Sequence, residues 1–266
     1  MSHPPRYAVV TPYFKEDKAT LAQCIESVRA QTVPADHILV ADGYPQDWVD
    51  SAGVRHVKLD RNHNNYGNTP RAVGAFVAVD YEAICLLDAD NYLDPTHVEH
   101  CLQVALVGRS AHDLVIARRR FVRLDGSTMP LSDELSSTHV DTSCFFFLPR
   151  SFYTLPVWGL MPREVAPICD RIFLEHIRLQ AKLQKLSLAY ATQTTVNYRS
   201  KWQSMYHAIG ERPPPDAQPN ISPDAIERWF DGLSREQLEH YSRRVGFKLH
   251  KSRLFGGKLG HSINSN

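Results

Sequence analysis

The stretch Ile84-Cys85-Leu86-Leu87-Asp88-Ala89-Asp90-Asn91-Tyr92-Leu93-Asp94-Pro95 constrains this chain more than any other. Its apolar run reads as a fully buried strand that delivers two carboxylates, one residue apart, at its carboxyl end. Asp94-Pro95 then opens a helix. In open α/β sheets the carboxyl ends of such strands are where ligands sit. Side chains alternate along a strand, so Asp88 and Asp90 share a face if extended geometry persists past Leu87. Two hard oxygen donors placed in this way suit Mg²⁺ or Mn²⁺ carrying a phosphate. Asp-x-Asp also occurs in solvated turns, and it is the apolar strand in front that favours a site here.

The residues before this stretch alternate between strand and helix. Tyr7 to Phe14 is a β-rich run interrupted by Pro12, and Leu21, Cys24, Ile25 and Val28 follow at helical spacing. Ile38 to Ala41 reads as a second buried strand ending at Asp42-Gly43, and Val54 to Leu59 as a third, nearer an edge because it alternates more. Thr69-Pro70 supplies an N-cap and first-turn proline for a helix whose apolar face includes Val73, Phe76 and Val77. After strand 84–88, Pro95 starts a helix through Val98, Leu102 and Ala105. Such alternation implies an α/β fold with a mostly parallel central sheet flanked by helices.

Beyond Gly108 the pattern changes to a mixed extension that completes a cleft. Leu114 to Ala117 and Arg120 to Leu124 read as strands, with Asp125-Gly126 a turn, and Cys144 to Leu148 as a dense apolar strand. A loop rich in proline and aromatics, Pro149 to Pro167, leads to a helix beginning near Val165 with Ile168, Ile172, Phe173 and Ile177, and Ala189 to Tyr198 is a further strand. The proline run from Pro213 to Pro219 marks a boundary. The division expected is therefore 1–212, with a nucleotide-binding part of about 6–108 and an acceptor part of about 109–212, and a helical, basic extension over 213–266. In that extension Ser222-Pro223 caps a helix carrying Ile226, Trp229 and Phe230, and Ser234 with Gln237 forms a capping box.

Thirty basic against 29 acidic residues leave a net charge of +1, so no bulk field recruits nucleic acid. The exception is local. From 243 to 261 six basic side chains stand without one acidic residue, interleaved with Val245, Phe247, Leu249, Leu254, Phe255 and Leu259. This segment reads either as a peripheral contact with an anionic membrane bearing a lipid-linked acceptor or as a solvated basic terminus. Five scattered cysteines without a Cys-x-x-Cys pair read as buried free thiols of a reducing compartment. Met1 to Tyr7 lacks the apolar core of a signal peptide, and no apolar run reaches membrane-spanning length. The expectation is a cytoplasmic protein.

Four stations, Val9 to Tyr13, Val40-Ala41-Asp42-Gly43, Asn65 to Gly74 and Leu87-Asp88-Ala89-Asp90, resemble in order and separation those of the family 2 glycosyltransferases over roughly residues 6 to 180. The resemblance implies a GT-A-type nucleotide-sugar-binding fold and an inverting transfer of sugar from a nucleotide-diphosphate donor to a saccharide or lipid-linked acceptor, in surface polysaccharide or glycoconjugate synthesis. It implies a divalent cofactor, Mn²⁺ or Mg²⁺, at Asp88 and Asp90 with Ala89 between them. It further implies that Thr11, Pro12, Tyr13 and Glu16 line the nucleotide pocket, that Asp42 contacts the base and that Arg71 lies beside the diphosphate. The spacing from Gly67 to Arg71 is one residue shorter than is usual in the family.

By the same resemblance Asp170, in Ile168-Cys169-Asp170-Arg171, matches the catalytic base, with Cys169 replacing an acid that commonly precedes it. An aspartate after a proline-rich loop can be aimed into a cleft to accept a hydroxyl proton, although helix-start aspartates are also favoured by the macrodipole alone. His207 resembles a late histidine that completes the metal shell, and an ordinary surface or packed histidine is the alternative. Asp141 is an acceptor-side candidate, Lys201 and Arg199 could hold phosphate oxygens, and Trp158 and Trp202 could be platforms for a sugar ring or simply core. Two other functions remain open. A sugar-phosphate nucleotidyltransferase usually opens with a glycine-rich, arginine-containing loop, which Thr11-Pro12-Tyr13-Phe14-Lys15 is not. A non-catalytic nucleotide-sugar binder could retain Asp88 and Asp90. A dehydrogenase is excluded for want of Gly-x-Gly-x-x-Gly after the first strand.

Overall fold

A computed structural model describes residues 6–108, 111–132, 139–251 and 254. In chain order, β1 (Tyr7–Tyr13), α1 (Lys18–Arg29), β2 (Asp36–Ala41), β3 (Arg55–Lys58), α2 (Asn68–Val77), β4 (Ala83–Leu86), β5 (Tyr92–Leu93) and α3 (His97–Ala105) make the first half. The second adds β6 (Leu114–Val122), β7 (Phe145–Phe147), α4 (Val157–Leu160), α5 (Cys169–Lys182), β8 (Leu188–Arg199), α6 (Gln203–Ala208), α7 (Asp224–Gly232) and α8 (Arg235–Val245). Among the described residues the strands form one sheet in the order β3-β2-β1-β4-β7-β6-β8-β5. The first four are parallel, β7 is antiparallel to β4 and to β6, β8 is parallel to β6, and β5 closes antiparallel on β8. The α/β class with a mixed second half is thus the observed one.

Burial follows the hydrophobic pattern. Every residue of β4 is buried, whereas β3, at the sheet edge, is half covered. Leu21, Cys24, Ile25 and Val28 are the buried stripe of α1, whose N-cap Asp17 accepts a hydrogen bond from the Thr20 amide at 3.0 Å. All five cysteines are free and buried.

Five local expectations are corrected. Helix α2 starts at Asn68 behind Gly67, which takes a left-handed φ of 80°, so Thr69 lies inside the helix instead of capping it. Its buried face is Pro70, Arg71, Gly74 and Ala75, while Phe76 is 78% exposed. Gly74 sets that rotation, because a Cβ there would lie 2.4 Å from Val10 Cγ1 and 3.0 Å from Val40 Cγ2. The two strands expected after Leu114 are one continuous β6. Before α5 the chain forms a 3₁₀ turn over Arg163–Ile168, and the α-helix starts only at Cys169, because Pro167 has no amide to donate. Tyr92–Leu93 pairs with β8 before α3 begins at His97.

The extension after the proline run packs on the rest. Ile226, Val245, Phe247, Leu249 and Leu254 are buried in the same core cluster as β1 and β4. The apolar side expected to face a membrane is therefore turned inward among the described residues, with only polar neighbours such as Arg243 and Lys248 exposed. Arg253, Phe255, Lys258 and Leu259 lie outside the described residues. No helix among the described residues is long and apolar enough to cross a membrane.

Candidate active site

A cleft of about 1060 Å³ opens at the carboxyl ends of β1, β2 and β4 and is closed by residues of the second half. Pro12, Tyr13, Glu16, Asp42, Arg71 and Asp88-Ala89-Asp90 line it from one side. Asp141, Asp170, Lys201 and Trp202 line it from the other. The sheet explains the convergence, since residues after β1, β2 and β4 all leave a parallel ladder at the same end.

On the first side Tyr13 is fixed by its neighbours. Its hydroxyl accepts from the Gln46 amide at 3.0 Å and so donates to His56 Nε2 at 2.7 Å, while Nδ1 of His56 donates to Asp50. Asp42 is 5% exposed and is held by the amide of His63 at 3.1 Å and its Nδ1 at 2.7 Å. Glu16 accepts from the Phe14 amide at 2.7 Å, and burial pushes its carboxyl up from the ordinary value. Thr11 departs from expectation. Fully buried and bonded to His37 Nε2 at 2.8 Å, it faces the layer under α1 and not the cleft.

Extended geometry does not persist to the two aspartates after β4: the strand ends at Leu86, and Ala89-Asp90 form a turn closed by the Asn91 amide on the Asp88 carbonyl at 2.9 Å, with both carboxylates lining the cleft. Arg71 Nη2 donates to Asp88 Oδ1 at 2.5 Å, and its Nη1 donates to the Tyr66 carbonyl at 2.7 Å. The short spacing from Gly67 therefore leaves Arg71 in the site, where it joins the Tyr66 loop to the carboxylate. Asp90 Oδ2 accepts from Lys201 Nζ at 2.6 Å.

A divalent ion would find oxygen donors of the right kind here, but each aspartate already has an organic cation at hydrogen-bond distance. His207, expected as a further ligand, is exposed on α6 and does not line the cleft. Among the described residues no three His, Cys, Asp or Glu side chains gather as a metal-binding group. The side chains as arranged do not fit a metal ion.

On the far side Asp170 sits in the first turn of α5 and accepts the Arg171 amide at 2.7 Å. His139 Nε2 lies 2.5 Å from Asp170 Oδ2, and Arg119 Nη2 lies 3.1 Å from His139 Nδ1. A guanidinium can only donate, so Nδ1 accepts and the ring proton rests on Nε2, pointing at Asp170. Burial pushes the Asp170 carboxyl up, but His139, the Arg171 amide and the Arg171 charge outweigh it and hold the group below its ordinary value. Asp141, 3.5 Å from Arg119 Nη1, is pushed the other way, to about 6, because burial exceeds what Arg119 returns.

Trp158 cannot be a sugar platform. It has no exposed surface, stacks on Phe173 at 4.5 Å between centroids and lies under the Arg71 guanidinium. Trp202 lines the cleft beside Lys201. Reasoning from sequence missed His139 and Arg119. Neither stands in a motif, and His139 reaches Asp170 only through the tertiary fold.

Residues 8–161, more than half of the chain, match the model of the glycosyl transferase family 2. Among solved structures, the chain is similar to S. aureus TarS 1-349 in complex with UDP, at TM-score 0.56 and 12% identity, covering 95% of this chain and 72% of that one. It is similar also to the complex of TarS 1-349 with UDP-GlcNAc, at TM-score 0.55 and 12% identity, covering 94% and 73%. No curated protein matches the chain. At such identity the structural likeness establishes the GT-A fold.

Proposed function

Because this chain belongs to glycosyl transferase family 2, we propose that it moves a sugar from a nucleotide-diphosphate sugar to an acceptor hydroxyl with inversion at the anomeric carbon. The observation that carries this reading is that Asp170 and the Asp88-Ala89-Asp90 turn, from opposite halves of the chain, line one cleft. The acceptor oxygen attacks the anomeric carbon as the bond from that carbon to the diphosphate oxygen breaks. The hydroxyl proton passes to the Asp170 carboxylate, and the electron pair leaves with the diphosphate. Arg71 and Lys201 stand where the charge developing on the leaving group is met, and their fixed placement spares reorganisation during reaction.

The TarS complexes with UDP and UDP-GlcNAc support a uridine nucleotide donor. Trp202 and Asp141 line the acceptor side, where a saccharide, free or lipid-linked, would lie. The five buried free thiols support a reducing compartment such as the cytoplasm, and exposed Arg243 and Lys248 leave electrostatic contact with an anionic membrane open to the chain. A role in surface polysaccharide or glycoconjugate synthesis accords with such an acceptor.

The deciding experiment is a donor-hydrolysis screen of the purified protein against a panel of nucleotide sugars. Release of one nucleoside diphosphate, lost in Asp170→Asn, supports the reading. Formation of a nucleotide sugar from a sugar phosphate and a nucleoside triphosphate, without donor hydrolysis, overturns it in favour of a nucleotidyltransferase.

A further inference from the structure

The side chains around Asp90 form a cluster organised on a single ammonium. Lys201 Nζ lies 2.6 Å from Asp90 Oδ2. The same charge acts electrostatically on Asp88 and on Glu16, which line the cleft with Asp90.

The backbone places Lys201 there. β5 directly follows the Asp90 turn and pairs with the end of β8, Tyr92 opposite Asn197, and the Arg199 amide donates to Asn91 Oδ1 at 3.0 Å. The next two residues are gripped as well. The Ser200 amide donates to the Val122 carbonyl at 2.8 Å, and the Lys201 carbonyl accepts from the Gln218 amide at 2.6 Å. Lys201 thus has little freedom to leave Asp90, in contrast to a surface lysine on a mobile loop.

The formal charge balance is that of a divalent ion on two aspartates. Lys201 and Arg71 carry two positive charges against the two of Asp90 and Asp88. An ammonium has three protons to donate, and the Asp90 bond leaves two for phosphate oxygens.

The geometry points to Lys201 as the resident cation of this cleft: with Arg71 it binds the diphosphate of the donor in the place of a divalent metal, so that nucleotide binding requires neither Mg²⁺ nor Mn²⁺. The inference rests on the nucleotide-sugar reading above.

Calorimetry of UDP, GDP, CDP, ADP and dTDP on the full chain, in EDTA and then in Mn²⁺, tests it. One nucleotide is expected to bind with the same Kd in both conditions. Lys201→Met, shown to be folded by circular dichroism, should weaken that binding in EDTA by about tenfold or more, the loss of one charge-assisted contact. Electron paramagnetic resonance should show Mn²⁺ taken up by Lys201→Met, whose carboxylates have lost their ammonium, and not by the parent. Lys201→Arg, which keeps the charge, should retain metal-free binding. Nucleotide binding by the parent only with Mn²⁺, accompanied by a bound-Mn²⁺ spectrum, overturns the inference and leaves the glycosyltransferase reading intact. No binding of any nucleotide in either condition overturns both. Should Lys201→Met fail to fold, the EDTA and Mn²⁺ comparison on the parent decides alone.

Discussion

His139 Nε2 stands 2.5 Å from Asp170 Oδ2, and the two residues belong to segments separated by the aromatic strand β7 and the proline-rich loop. Arg119 fixes the ring tautomer from behind, so His139 is a positioning residue that presents a proton to the carboxylate.

The consequence is a pH dependence whose sign follows from the causes of the shift. Asp170 is held below its ordinary value of 3.8 against the upward push of burial, and the hydrogen bond from His139 Nε2 is among the opposing influences. The base therefore stays ionised to lower pH than a free aspartate. In His139→Ala burial is less opposed, and the acid limb of the kcat/KM profile should move to higher pH. His139→Gln, which can still donate to the carboxylate, should move it less. Profiles of donor turnover across the range in which circular dichroism shows a folded protein provide the check, and an unmoved limb in His139→Ala would remove the coupling.

Asp170→Asn keeps the size of the side chain in the first turn of α5, but its single oxygen can accept from only one of His139 Nε2 and the Arg171 amide, and the proton acceptor is lost. Transfer should fall by about 10² to 10⁴, the range for losing a general base, with donor affinity unchanged. Single-turnover rates and calorimetric Kd measured on the same preparation separate the two effects. Unchanged turnover would take Asp170 out of the mechanism.

Gly74→Ala should destabilise the fold by about 1–3 kcal/mol, because the added methyl meets Val10 and Val40 where α2 lies on the sheet. Urea denaturation should show a lower midpoint with the slope preserved. Since α2 carries Arg71, nucleotide affinity should fall as well.

His37 and His97 are buried, and burial lowers both to about 3. Each binds its proton more readily in the unfolded chain, so stability is fully present above about pH 6.5 and is lost as pH falls toward 3. Asp141, raised to about 6 by burial, acts in the opposite sense: its contribution is complete below 3.8 and is lost as pH rises through 6. Urea midpoints measured from pH 4 to 7 should rise with pH in the parent. They should rise less steeply in His97→Gln and more steeply in Asp141→Asn. Parallel curves for all three proteins would contradict these assignments.

What the sequence determined by itself was whatever local pattern encodes. The apolar run before Asp88, the stripe Leu21, Cys24, Ile25 and Val28, and the capping box Ser234 with Gln237 all appear in the structure where periodicity and cap chemistry put them. Asp42, Arg71, Asp88, Asp90, Asp141, Asp170, Lys201 and Trp202 all line the cleft, because residues that follow parallel strands, or begin the helices packed beside them, emerge at one end of the sheet. Tertiary structure alone decided which charges meet. Lys201 and Asp90 are 111 positions apart and are joined by β5, a strand of two residues too short to leave a pattern. Trp158 reads as a sugar platform or, as large aromatics more often are, as core until Phe173 covers it, and Phe76 reads as buried until Gly74 turns its helix. A hydrophobic period specifies that a face is buried. Which partner buries it, and which cation reaches a carboxylate, depends on contacts between distant segments that close only when the whole sheet has formed.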